Sequence, residues 1–91
     1  MERREKMLTR SPRTAYRIVD GEAVIVLPEE GTAHILNETG ARIWELADGS
    51  KNISEIAEII CREFDVPLET ALRDINEFME KLVEKKMLSH G

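Results

Sequence analysis

The chain has 91 residues, 42% of them hydrophobic and 34% charged, with a formal net charge of −5. That size and composition describe one small globular domain for which disorder is not the default, and the sequence holds no membrane-spanning run of ~20 apolar residues and no N-terminal apolar signal core. Residues 1–17 carry six basic and two acidic side chains, a net +4, while the other 74 residues carry seven basic and sixteen acidic, a net −9; such an acidic body repels nucleic-acid phosphates and suits basic peptides or protein surfaces.

Residues 1–14 show no clear period and are interrupted by Ser11-Pro12. They are expected to be a flexible basic arm, with residues 15–91 forming the folded domain. Asp20-Gly21 then lies between two β-prone runs, YRIV and EAVIVL. This is a two-residue hairpin signal, because glycine tolerates the positive φ of the primed turns. The register follows: Val19 opposite Glu22, Ile18 opposite Ala23, Tyr16 opposite Ile25. Tyr16, Ile18, Ala23, Ile25 and Leu27 share one face, which is expected to lie on the core.

Pro28-Glu29-Glu30-Gly31 reads as a turn, with proline presetting φ early and glycine supplying a late left-handed position. A third strand, Thr32 to Leu36, follows. The three strands form an antiparallel meander whose last member lies at an edge with unpaired backbone groups. Asn37 sits where a helix-capping oxygen is needed. The first helix is expected over Glu38 to Ala47, anchored by Trp44 and closed at Asp48-Gly49. Ser50 to Ile53 reads as a link, and Ser54 as the cap of a second helix reaching Phe64. Asp65-Val66-Pro67 breaks that helix. The third helix, residues 68–86, has apolar residues at Leu68, Ala71, Leu72, Ile75, Phe78, Met79, Leu82 and Val83, spaced three and four apart. The fold class is therefore α+β, β-β-β-α-α-α, a three-stranded antiparallel sheet followed by three helices in the manner of a winged helix-turn-helix with its wing placed first.

No catalytic or metal constellation is visible. Cys61 is the only cysteine and falls between Ile60 and Phe64 on the second helix, the setting of a small buried or half-buried thiol. His34 reads as an ordinary strand residue, and His90 is next to the end. No cofactor and no metal are expected. One cysteine and no signal segment fit the cytoplasm. The edge strand offers backbone donors and acceptors to an added peptide strand, at Thr32, Ala33, His34, Ile35 and Leu36. On the third helix Met79 and Val83 lie at a margin of the apolar stripe. Methionine suits an adaptable pocket, though the same position serves a core. Arg73, Asn76 and Glu80 run along a neighbouring side, where they either contact a peptide or form a solvated face.

LNETGARIWELADG, SEIAEIICREFDV and ALRDINEFMEKLVEKKML together resemble the PqqD family, named for the D protein of pyrroloquinoline quinone biosynthesis and also called the RiPP recognition element. The family pattern of Asn and Gly at the first helix is matched by Asn37 and Gly40. Its aliphatic-Trp pair and closing Asp-Gly are matched by Ile43-Trp44 and Asp48-Gly49, its Ser/Thr and aromatic by Ser54 and Phe64, and its third-helix signature by Asp74-Ile75, Phe78 and Leu82. The resemblance covers residues 16–88. It implies a non-catalytic peptide chaperone. Such proteins bind the leader of a ribosomally made precursor peptide as an extra strand on the third strand, beside the third helix. They present it to a modifying enzyme, in many systems a radical S-adenosylmethionine protein. Pyrroloquinoline quinone, lasso and other modified peptides all remain open as pathways. The competing readings are a winged-helix nucleic-acid binder and a dimerisation module pairing through the edge strand. The helices argue against the first, since the third carries four basic against five acidic residues and the second one against three.

Overall fold

The computed structural model describes residues 7–90. Its centre is the expected order of three strands and three helices: β2 (Ala15–Val19), β3 (Glu22–Leu27), β4 (Thr32–Leu36), α1 (Glu38–Leu46), α2 (Ile53–Phe64) and α3 (Leu68–Glu84). Asp20 at φ 52° and Gly21 at φ 83° form the primed turn between β2 and β3. The register is the expected one, with Val19 opposite Glu22 and Tyr16 opposite Ile25. Strand β4 continues the meander antiparallel to β3, pairing Ile25 with His34 and Ala23 with Leu36.

Three further strands depart from the expectation: β1 (Met7–Arg10), β5 (Asp48–Asn52) and β6 (Leu88–His90) form a second antiparallel sheet with β1 in the middle. Residues 7–10 are thus structural rather than part of a flexible arm; residues 1–6 of that arm lie outside the described residues. Leu8 is fully buried, and the Arg10 guanidinium donates to the carbonyl oxygens of Trp44 and Glu45, 2.9 Å each. These carbonyls lie at the C-terminal end of α1, where a cation is favourable, and that of Trp44 also accepts from the Ala47 N–H at 3.2 Å. Arg10 also lies over the Tyr16 ring at 5.3 Å.

The supposed link after α1 is β5, and Asn52 rather than Ser54 caps α2. Asn52 accepts from the Glu55 backbone N–H at 2.8 Å while the Glu55 carboxylate accepts from the Asn52 N–H at 2.9 Å, a reciprocal capping box. Asp65, at φ 54°, closes α2, and Pro67 precedes the first residue of α3.

The core lies between the inner face of β2-β3-β4 and the three helices. Ala23, Ile25 and Leu27 of β3 are buried with Ala41, Ile43 and Trp44 of α1, Ile56 and Ile60 of α2, and Ala71, Ile75 and Leu82 of α3. Trp44 is enclosed, with the Tyr16 ring standing perpendicular to it at 5.6 Å and its Nε1–H without a hydrogen-bond acceptor. Tyr16 and Ile18 are on the expected inner face but remain 41% and 37% exposed, β2 being the other edge strand of this sheet. Between α1 and α2, the Arg42 guanidinium makes a fork to the Glu63 carboxylate, at 2.8 and 2.9 Å.

Candidate functional site: an open strand beside a helix-walled trough

Strand β4 is bonded to β3 on one side and ends its sheet on the other. A two-residue primed hairpin closes on a hydrogen-bonded pair, here Val19 and Glu22. Antiparallel ladders alternate, so Glu22, Val24 and Val26 aim their backbone groups at β2, while Ala23, Ile25 and Leu27 aim theirs at β4. The partners Leu36, His34 and Thr32 therefore spend their N–H and C=O groups inside the sheet. Ala33 and Ile35 present theirs outward, two residues apart, as an edge that can accept another strand. The Ile35 side chain is 70% exposed, the most open large apolar group among the described residues.

Alongside this edge runs a trough made of three adjoining hollows. The first, about 340 Å³, lies between Leu27, Glu30, Thr32 and His34 of the sheet side and Glu84, Lys85 and Lys86 of the helix side. The second, about 340 Å³, is bounded by His34, Ile35, Leu36, Asn37 and Gly40 and by Phe78, Lys81, Leu82 and Lys85. The third, about 320 Å³, continues past Asn37, Thr39, Gly40 and Ile43 against Asp74, Glu77, Phe78 and Lys81. Shared lining residues (His34 and Lys85, then Asn37, Gly40, Phe78 and Lys81) make the three continuous. Helix α3 forms one wall along the length of β4.

Local chemistry shapes the floor. Asn37 caps α1 by accepting from the Gly40 N–H at 2.8 Å, which fixes the turn from β4 into the helix. A Cβ on Gly40 would meet Phe78 Cε1 at 3.2 Å and Leu36 Cβ at 3.3 Å, so the absent side chain is what lets Phe78 lie against the start of α1.

The expected strand residues Thr32, Ala33, His34, Ile35 and Leu36 form the edge, but the expected helix residues do not join it. Arg73, Asn76, Met79, Glu80 and Val83 line none of the three hollows. At 3.6 residues per turn, Met79, Val83, Asn76 and Glu80 lie to one side of the buried row Ala71, Ile75 and Leu82. Asp74, Glu77, Phe78, Lys81 and Lys85 lie to the other, and that second flank faces β4. Met79 and Val83 are half-buried against the core, the Asn76 amide donates to the Leu72 carbonyl at 2.9 Å, and the Arg73 guanidinium lies 4.0 Å from Asp74 in solvent. The apolar period locates the buried row of a helix without saying which margin meets the sheet. A glycine inside the first turn of α1 was the one local sign of close approach at this spot. No cluster of three or more potential metal ligands occurs among the described residues, and no helix among them is long and apolar enough to cross a membrane.

An open strand beside a continuous helix-walled trough defines a class of small α+β domain that displays a sheet edge. The chain belongs to the PqqD family: the family model for coenzyme PQQ synthesis protein D (PqqD) matches residues 22–88. It is 30% identical over 81 residues to a PqqA binding protein of Rhizobium meliloti (strain 1021), covering 89% of this chain and 81% of that one. Among solved structures it resembles TbiB1 in complex with the TbiA(beta) leader peptide, with a TM-score of 0.81 at 32% identity over 89% of this chain and 94% of the other. It also resembles the PqqD truncation of Methylobacterium extorquens PqqCD, a stand-alone RiPP recognition element. There the TM-score is 0.73 at 25% identity, over 90% of this chain and 88% of the other.

Proposed function

We propose that this chain binds the leader of a ribosomally synthesised precursor peptide by strand addition to β4 and presents it to a modifying enzyme. A radical S-adenosylmethionine protein is the expected class of that enzyme, and the chain itself performs no chemistry. The observation that carries the reading is the pair of outward backbone groups at Ala33 and Ile35, lying beside the trough under α3. Backbone pairing gives sequence-tolerant affinity, and every second side chain of the guest turns into the trough for selection. The likeness to a PqqA binding protein and to a domain solved with a leader peptide supports the same reading.

Amide chemical shifts test it. A synthetic leader of a cognate precursor peptide is expected to move the amides of Ala33 and Ile35 and of the α3 flank from Asp74 to Lys85. Shifts confined to the Arg73, Asn76 and Glu80 side of α3, or to the second sheet, would refute strand addition at β4. Self-pairing through the same edge would show instead as line broadening that grows with protein concentration and is relieved by peptide.

A further inference from the structure

Charge is arranged along the trough in a way that the domain as a whole is not. The two ends contain carboxylates: Glu30 and Glu84 by Thr32, Asp74 and Glu77 by Asn37. The middle hollow has none. It is lined by Lys81 and Lys85, one helical turn apart, above an apolar floor of Leu36, Phe78 and Leu82. Neither lysine has an ion-pair partner among the described residues. Residues 18–91 carry a net −9, so the far field of the body favours basic partners. A carboxylate seated in the middle hollow meets two cations at short range.

Position along the strand sharpens this. Helix α3 runs so that Lys85 neighbours His34, Lys81 spans His34 to Asn37, and Phe78 neighbours Gly40. Guest residues opposite His34 and Leu36 are two apart and point to the same face. Side chains at those two guest positions would enter the one hollow that Lys81 and Lys85 share with the Leu36-Phe78-Leu82 floor.

Resting on the strand-addition reading above, we infer that the middle of the trough selects an extended peptide carrying a carboxylate two residues from a large apolar side chain. Lys81 and Lys85 read the acid. The alternative far-field preference for basic peptides makes the opposite prediction at this position.

The test displays random 12-residue peptides and selects binders to the full-length chain, to Lys81→Gln/Lys85→Gln and to Lys81→Glu/Lys85→Glu. Both variants place good helix formers on an exposed flank, and far-UV circular dichroism confirms that they fold. Wild-type binders are expected to be enriched in Asp or Glu two positions from Leu, Ile, Phe, Tyr or Trp. Changing that acid to its amide should weaken binding about tenfold in the wild type and less than twofold in the glutamine variant. The glutamate variant should select Lys or Arg instead. Binders that shift the Ala33 and Ile35 amides but show no acid preference, or keep it in the glutamine variant, would overturn the inference and leave strand addition standing. Binders that leave those amides unmoved would overturn the strand-addition reading itself.

Discussion

Gly40 sits at a close approach in the trough, where an added Cβ would lie 3.2 Å from Phe78. Its missing Cβ leaves room for Phe78, and its N–H completes the Asn37 cap. Replacing it with alanine gains about 1 kcal/mol of helix propensity but presses on Phe78 and Leu36 at distances of 3.2 and 3.3 Å. Phe78 is only half-buried and can yield outward, into the space a guest side chain would use. Gly40→Ala is therefore expected to change unfolding free energy by no more than about 1 kcal/mol while weakening leader binding severalfold. Urea denaturation and titration calorimetry on the same variant separate the two. A large loss of stability with unchanged affinity would mean that Gly40 serves packing alone.

Among the elements, β4 makes the sharpest claim, because its two backbone sides have different jobs. Proline removes an N–H, and sheets tolerate it where that N–H faces away from the ladder. Ile35→Pro is expected to keep the fold at a cost of about 1 kcal/mol and to abolish leader binding. His34→Pro deletes a ladder bond to Ile25 and is expected to cost about 3 kcal/mol or more. Equal destabilisation by the two would show that the hydrogen-bond alternation is wrongly assigned. The α1–α2 contact gives a pH prediction. The hydrogen-bonded Arg42 guanidinium holds the Glu63 carboxyl below its ordinary 4.5. A lowered carboxylate pKa adds stability that is whole above the ordinary value and fades as pH falls through the lowered one. Both groups are partly exposed, so the worth is under about 1 kcal/mol and shrinks in salt. Glu63→Gln should destabilise by that amount at pH 7 and match the wild type in stronger acid; a difference that persists in acid would mean that something other than the ion pair was lost.

At the scale of the molecule, the second sheet joins three distant stretches, 7–10, 48–52 and 88–90. Leu8 is buried in the single core cluster, and the Ser11 N–H donates to the Met87 carbonyl at 2.9 Å, so both ends of the described chain close one unit. Leu8→Ala is expected to cost 2–5 kcal/mol in urea unfolding, by lost transfer free energy plus the cavity. That is a large share of the ~5–15 kcal/mol typical of such domains. A solvated arm would give almost no change.

What local chemistry determines was legible in the residues themselves. Asp20-Gly21 set the hairpin and its register, Asn37 the start of α1, Pro67 the break before α3, and the spacing of Ala71, Ile75 and Leu82 the buried row. Each rests on conformational preferences within a few residues or on a single period. Tertiary structure decided the rest. Asp48–Asn52 shows no alternation of apolar and polar residues, and became a strand because β1 lies beside it. Leu8 is core because two stretches some eighty residues apart, 7–10 and 88–90, meet, and no local pattern encodes a pairing at that separation. The flank of α3 that faces β4 depended on how the helix lies across the sheet. A buried row has two equivalent margins until packing breaks the symmetry, and that choice put Phe78, Lys81 and Lys85 in the trough rather than Met79, Val83 and Asn76.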